Sequence, residues 1–239
     1  KFLRAAISNN VYECCNKVDW LLENNEFLHI NNGRIGLKYY YDIEMQIYHL
    51  ILNKSKIETT INISDEAIDK AIKHAEEEQG FDYVVEQLDT IHKSLHRTVS
   101  LITGKAGTGK TSIMRAIVKA YMENNYMMTA SALSAMAAQR ITEATEFPAM
   151  TIHRTLGCQG LNDFTYNKDN HLITDVAFLD EGSMVNASLF LHWLEAIGDN
   201  TRIIISGDHK QLPPIGFGNV FSDLIEMFDD SVVSKLVKP

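Results

Sequence analysis

The sequence has few of the features that mark secreted or membrane-inserted proteins. Only three of its 239 residues are cysteine, and a disulfide between the adjacent Cys14 and Cys15 would be strained. No group of cysteines and histidines has the spacing of a zinc motif. The chain has no uninterrupted run of about 18 apolar residues and no signal-peptide pattern. These absences argue against secretion and membrane insertion and favour a reducing, cytoplasmic setting.

The sequence also lacks an initiator methionine and an excess of positive charge. Because Lys1 comes first, we interpret the chain as an internal piece of a longer protein. The net charge of -9 argues against indiscriminate binding to polyanions, although an acidic protein can still hold DNA in a local groove. With 45% hydrophobic and 22% charged residues, the composition is that of a globular protein with a sizeable core.

The N-terminal third has the pattern of a short helix, a hairpin and a second helix. Val18 and Leu22 have helical spacing, a turn is predicted at residues 31–33, and Ile43 and Ile47 begin the second helical pattern. We interpret residues 1–80 as a small, mainly helical, winged-helix-like module followed by a polar connector. Within the connector, Ser64 is expected to begin a helix that ends at residue 80.

Residues 81–239 alternate apolar runs with helical patterns, which is typical of a parallel sheet with crossover helices. The sequence therefore predicts an α/β domain. Its candidate strands are Val99 to Thr103, Tyr126 to Ala130, Val176 to Leu179 and Arg202 to Ser206.

The first candidate strand leads into a loop of the form G-x-x-x-x-G-K-[ST], which precedes an amphipathic helix. Its glycines let backbone N–H groups turn toward one anion, and the helix N-terminus adds positive potential. We expect Lys110 to reach the β and γ phosphates of ATP and Thr111 to supply a hydroxyl to Mg²⁺. A glycine-rich turn that binds nothing is the alternative, but it gives that lysine no purpose. The predicted nucleotide-binding residues here are Gly104, Ala106, Gly107, Thr108, Gly109, Lys110, Thr111 and Ser112.

Two carboxylates follow the apolar run Val176 to Leu179. In open α/β sheets ligands bind at the carboxyl ends of the strands, so Asp180 and Glu181 should emerge beside the phosphates. Asp180 is placed to hold Mg²⁺, and Glu181 is a candidate to orient or deprotonate the attacking water. Alone, such a pair could equally form a surface turn or a helix cap.

The run from Gly207 to Ile215 follows another apolar strand. Together with residues 104–111 and the sequence DEGSM at 180–184, it resembles motifs III, I and II of RecD-like superfamily 1 DNA helicases. The resemblance implies a RecA-like motor domain that uses ATP and Mg²⁺, a single-stranded DNA partner, 5′ to 3′ movement and duplex unwinding. A recombination or nuclease protein is a further implied partner. The family's second motor domain would begin just after Pro239, so we expect this piece alone to hydrolyse ATP weakly.

The resemblance also assigns residues outside these motifs. Gln87 matches the family's adenine-recognising glutamine, unless it is an ordinary exposed glutamine. Thr151, His153 and Arg154 match a segment that lies along single-stranded DNA, although a His-Arg pair is usually surface decoration. Ser134 is a candidate phosphate donor, or it merely begins a helix.

Gln211 is a candidate for coupling the two ligands. Its amide could sense the γ-phosphate, and the rigid step at Pro213 and Pro214, which are themselves candidate DNA contacts, would pass a shift on toward the DNA groove. Alternatively, Gln211 only caps the turn after Asp208. A nucleotide-dependent switch that holds DNA or a partner without moving is the competing function. A further alternative, a clamp-loader-type ATPase, would not explain the sequence from Gly207 to Pro214.

Overall fold

The computed structural model describes residues 27–30, 34–160, 163–211 and 213–237. Contacts divide the chain into two compact units, Lys1–Gln46 and Ile47–Pro239. The predicted short helix around Val18 lies outside the described residues. None of the helices in the described part of the chain has both the length and the apolar composition that a bilayer crossing needs.

The first unit contains the predicted hairpin. Strands β1 (Phe27–Ile30) and β2 (Arg34–Leu37) pair antiparallel, and helix α1 (Lys38–Lys54) follows and crosses into the second unit. The hairpin and the following helix are therefore confirmed. The likeness to a winged helix stays a prediction.

The second unit is built on a parallel sheet of six strands. The strands are β3 (Val99–Gly104), β4 (Met128–Ala132), β5 (Ala149–Thr151), β8 (Val176–Asp180), β9 (Arg202–Gly207) and β10 (Val233–Leu236). A separate antiparallel pair consists of β6 (Cys158–Gly160) and β7 (Asp163–Phe164). The order in the large sheet is β10-β3-β9-β8-β4-β5, and every neighbouring pair runs parallel. The predicted parallel α/β sheet is confirmed.

Helices connect these strands. They are α2 (Asp65–Gln79), α3 (Val85–His96), α4 (Lys110–Glu123), α5 (Ala135–Thr145), α6 (Ile152–Thr155), α7 (Ala187–Glu195) and α8 (Val220–Met227), with a 3₁₀ turn at Gly182–Met184. Strands β3, β8 and β9 are buried along nearly their whole length, as expected of strands in the middle of a parallel sheet.

Strand β4 begins two positions later than the sequence predicts. Tyr126, the first residue of the predicted strand, instead donates its backbone N–H to the Tyr121 carbonyl, 3.0 Å away, at the end of α4. Its ring packs edge-on against the Tyr121 ring, and its hydroxyl hydrogen-bonds the backbone of Asn62. These contacts, with Tyr121 and with Asn62, outweigh the strand propensity of the tyrosine.

Helix α2 differs from the connector that the sequence suggested. Ser64 caps its first turn by accepting the N–H of Ala67, and Gly80 ends it with a φ of 78°, as predicted. However, its apolar face at Ile68, Ala71, Ile72 and Ala75 is buried in the core that also holds α4. These positions follow the i, i+3, i+4, i+7 pattern of a packed helix. The predicted connector thus contributes to the core of the α/β unit.

Candidate nucleotide-binding site

The phosphate loop joins β3 to α4 and depends on its glycines. Gly107 and Gly109 have φ values of 84° and 85°, in the left-handed region that favours glycine. A side chain at Gly104 would stand 2.5 Å from the Thr108 hydroxyl and 2.9 Å from the Leu236 carbonyl. Both the conformation and the close packing of the loop therefore require the residues found there.

The Lys110 ammonium lies against this loop. It donates hydrogen bonds to the carbonyls of Gly104, at 2.5 Å, and Lys105, at 3.0 Å. Burial lowers the pKa of Lys110, while the nearby carboxylates of Asp208 and Asp180 raise it. The loop thus holds a half-buried cation at the N-terminus of a helix, where phosphate oxygens are favoured.

The two predicted carboxylates stand at the end of β8. Asp180 accepts a hydrogen bond from the Ser206 hydroxyl on β9. Glu181 has a φ of 54°, which is uncommon for a residue other than glycine. Burial and the neighbouring Asp180 raise the pKa of Glu181, and Arg140 opposes them from 4.0 Å. The carboxylates therefore have different surroundings, as two different roles would require.

The end of β9 contributes the third part of the site. Asp208 is buried, and its backbone N–H donates to the Ser183 hydroxyl. His209 and Thr103 hydrogen-bond at 2.7 Å, which links this segment to β3. The Gln211 backbone N–H donates to the Asp208 carbonyl at 3.0 Å, while its side chain is exposed. The backbone of Gln211 thus closes the turn and leaves its amide available.

These parts surround one cavity of about 400 Å³. The sequence-predicted residues that line it are Ala106, Gly107, Gly109, Lys110, Thr111, Asp180, Glu181 and Gln211. Six further lining residues were given no individual role from the sequence, although the last three lie within its motifs: Ala137, Arg140, Ile141, Ser183, Gly207 and Asp208. Asp208 follows a buried strand and could have been found by that signal. Arg140 lies within α5 and has no comparable sequence signal.

Gln87 does not line this cavity but lies behind the phosphate loop. Its side chain is 6% exposed, so the alternative of an exposed glutamine is wrong. Its amide nitrogen donates to the Thr108 carbonyl at 3.3 Å, and its amide oxygen accepts the Val84 N–H at 3.2 Å. Ser112 likewise uses its hydroxyl within the protein, donating to the Gln79 amide oxygen at 2.7 Å. Nucleotide contacts by Gln87 and Ser112 stay predictions.

The predicted DNA-contact residues lie at the starts of α6 and α5 and after Gln211. Thr151 caps the short helix α6, which presents His153 and Arg154 to solvent. Ser134 caps α5 by accepting the Ala137 N–H at 3.1 Å, so this residue does begin a helix, and its contact with a phosphate stays a prediction. A hydroxyl that accepts a hydrogen bond can still donate one.

The prolines after Gln211 are the remaining predicted DNA-contact residues. Pro213 is exposed and Pro214 is half-buried. Both follow the cavity-lining Gln211 along the chain. Neither proline lines the cavity itself.

Comparisons with known proteins agree with this geometry. A family model described as an AAA domain matches residues 82–235. The RecBCD enzyme subunit RecD of Buchnera aphidicola subsp. Schizaphis graminum is 26% identical over 93% of this chain and 42% of its own length. The ATP-dependent RecD2 DNA helicase of Deinococcus radiodurans is 34% identical over 62% of this chain and 20% of its own length. The chain thus spans less than half of these relatives.

Among solved structures, the Pif1 helicase from Candida albicans is 25% identical, with a TM-score of 0.48. The match covers 65% of this chain and 40% of that chain. The strand order and the phosphate loop define the fold of this chain without reference to that structure.

Proposed function

Because the chain belongs to the AAA domain family and carries a RecD-like superfamily 1 helicase region, we propose that it is the ATP-binding motor domain of a DNA helicase. The helicase would couple ATP hydrolysis to 5′ to 3′ translocation on single-stranded DNA and to duplex unwinding. One observation carries the nucleotide part of this proposal. Lys110, Glu181 and Gln211, far apart in sequence, line the same cavity together with the phosphate loop.

The loop and Lys110 would bind the β and γ phosphates. Backbone N–H groups at the start of α4 and a half-buried ammonium offer fixed positive charge, so little reorganisation is needed when the polyanion binds. A cavity of about 400 Å³ also suits a compact charged ligand.

Thr111 and Asp180 would hold Mg²⁺, which prefers oxygen ligands. Both residues line the cavity beside Lys110. The Ser206 hydroxyl fixes one oxygen of Asp180, so the carboxylate is already oriented. When bound, the ion would neutralise charge on the phosphates.

Glu181 would orient and deprotonate the attacking water. A carboxylate with a raised pKa is a better proton acceptor than an ordinary one, and burial together with Asp180 raises the pKa of Glu181. Arg140 would hold the Glu181 side chain toward the cavity from α5. Gln211 would contact the γ-phosphate or the water.

The roles of the two carboxylates can be separated in a protein that carries this chain with its second motor domain. Glu181→Gln should keep the affinity for MgATP and lose turnover, because the amide cannot accept the proton. Asp180→Ala should in addition remove the Mg²⁺ dependence of binding. Glu143→Gln, an exposed change on α5, serves as the matched control. Turnover of Glu181→Gln equal to that of the control would remove Glu181 from the mechanism.

We further propose that Gln211 couples the nucleotide to DNA. His153, Arg154, Thr151 and Ser134 would contact the strand, and the prolines after Gln211 would transmit a displacement toward it. The Gln211 backbone is already fixed to Asp208, so a change at its amide would pass along the chain.

The coupling test compares two variants of the same motor. Gln211→Ala should retain ATP and DNA binding measured separately, but lose most of the stimulation of ATPase by DNA. Gln159→Ala, an exposed change on β6, is the control. Unchanged stimulation in Gln211→Ala would mean that the coupling runs elsewhere. A wild-type motor that binds both ligands without stimulated turnover would favour a nucleotide-dependent switch.

The name of the Buchnera relative places it in the RecBCD enzyme. By analogy, a recombination or nuclease protein is a proposed partner of the protein that contains this chain. Co-purification of the full protein with such a subunit would test this assignment.

A further inference from the structure

We propose that Asp65, His92 and His96 form a second metal site, for a divalent transition-metal ion with Zn²⁺ as the expected occupant. The three side chains lie outside the nucleotide cavity, where α2 begins and α3 ends. One ligand atom from each lies within 4.8 Å of the other two. The site would connect two helices that flank the phosphate loop.

The geometry suits a zinc ion. His92 and His96 are four positions apart on α3, so both imidazoles are on the same face of the helix, with ring centres 6.5 Å apart. From Asp65 Oδ1, the distance is 2.9 Å to His96 Nε2 and 3.8 Å to His92 Nδ1. Zinc bonds of about 2.0–2.2 Å place tetrahedral ligands at similar separations, so small side-chain rotations suffice.

Asp69 completes the arrangement around His92. Its carboxylate lies 3.1 Å from His92 Nε2, the ring nitrogen opposite the one that faces Asp65. A histidine that binds a metal through one nitrogen usually donates its other N–H to a carboxylate, which fixes the ring. His92 therefore has both the metal-facing nitrogen and the supporting carboxylate in place.

The donor set separates this site from the Mg²⁺ site. Imidazole nitrogens with carboxylate oxygens favour zinc and its transition-metal neighbours over Mg²⁺. A spacing search among cysteines and histidines misses the site, because aspartates from another helix complete it. His74 and Glu123 provide a contrast: their atoms approach to 2.8 Å, but no third ligand converges on them in the described residues.

A bound ion would stabilise the layer behind the phosphate loop. Helix α3 carries Gln87, which contacts the loop at Thr108, and α2 carries Gln79, which contacts Ser112. An ion that joins the start of α2 to the end of α3 would cross-link two helices whose opposite ends make these two contacts. Because the ion binds the folded chain, Zn²⁺ should raise the unfolding temperature.

The test titrates the metal-free full chain with Zn²⁺ in competition with a chromophoric chelator. Cysteines elsewhere in the chain can also bind zinc, so the comparison is between variants. The double variant His92→Gln/His96→Gln should bind one fewer equivalent of Zn²⁺ tightly, because the Zn²⁺ affinity of this site should fall by about tenfold or more. It should also lose the zinc-dependent rise in unfolding temperature. His74→Gln should keep both.

Two further measurements test the metal site independently of the Zn²⁺ titration of the double variant. Co²⁺ should give visible d–d absorption in wild type and His74→Gln that is reduced in the double variant. Asp65→Asn, which keeps both histidines, should weaken Zn²⁺ binding even if the double variant folds poorly. Equal zinc equivalents and equal Co²⁺ spectra in wild type, the double variant and Asp65→Asn would overturn the proposal.

Discussion

Gly109 is the position where the phosphate loop meets Gln87 most closely. A Cβ added there would stand 2.3 Å from the Gln87 amide nitrogen, and the φ of 85° is itself unfavourable for alanine. Gly107 has nearly the same φ, 84°, but a Cβ there meets nothing within 4 Å. The two glycines therefore form a matched pair in which only one contact differs.

The expected losses in the free energy of unfolding follow from this difference. The left-handed conformation should cost each alanine variant about 1–2 kcal/mol. In Gly109→Ala the Gln87 amide must also move, and losing its hydrogen bond to Thr108 adds about 1 kcal/mol. Gly109→Ala should therefore be less stable than Gly107→Ala by about 1 kcal/mol.

A double-mutant cycle isolates this contact. In the Gln87→Ala background the clash is gone, so Gly109→Ala should cost only the backbone term and match Gly107→Ala. Urea unfolding of the nucleotide-free chain measures all four variants and the wild type. Equal costs for the two glycines in wild type, or a coupling energy of zero between Gly109 and Gln87, would refute the role of Gln87 behind the loop.

Three further predictions concern buried polar groups. Burial lowers the pKa of Lys54 to about 8 in the folded protein, from its ordinary value of 10.5 in the unfolded chain. Between pH 8 and pH 10.5 the unfolded chain therefore binds more protons than the folded chain. Stability should thus rise with pH from about 8 to about 10.5 in wild type, and pH-dependent unfolding of Lys54→Met should lack that rise. Ser206→Ala should raise the Mg²⁺ concentration for half-maximal ATP binding by about tenfold, since Asp180 loses a charge-assisted hydrogen bond; an unchanged midpoint in a Mg²⁺ titration would exclude this. Arg202→Met should cost about 3 kcal/mol in urea unfolding, because its guanidinium donates to the Leu95 and Ile61 carbonyls, and a neutral result would contradict that bonding.

The part of the site that the sequence predicts best is the part that topology forces together. Strands β3, β8 and β9 are neighbours and parallel, so residues at their carboxyl ends must meet at the same edge of the sheet. Asp180 is the last residue of β8, and Lys110 and Gln211 follow the ends of β3 and β9. Apolar runs in the sequence locate the strands, and motif spacing locates the polar residues beside them. Once the sheet is known to be parallel, these polar residues are expected to converge at one edge.

Residues placed by tertiary packing could not be predicted in this way. Arg140 reaches Glu181 from the side of α5, and nothing in its local sequence distinguishes it from an exposed helical arginine. The burial of Gln87 depends on how α3 packs behind the loop. Asp65 and His92 come together because α2 lies in the core of the α/β unit, where the sequence suggested a connector.

Binding of MgATP by calorimetry tests the central claim most directly. Lys110→Ala should reduce the affinity of the chain by about 100-fold or more, to an unmeasurable level, because several charge-assisted contacts to the phosphates are lost. Lys105→Ala, an exposed lysine of the same loop, should bind as wild type does. Both variants should unfold at nearly the wild-type temperature without ligand. Wild-type affinity in Lys110→Ala would contradict the assignment of this cavity to ATP.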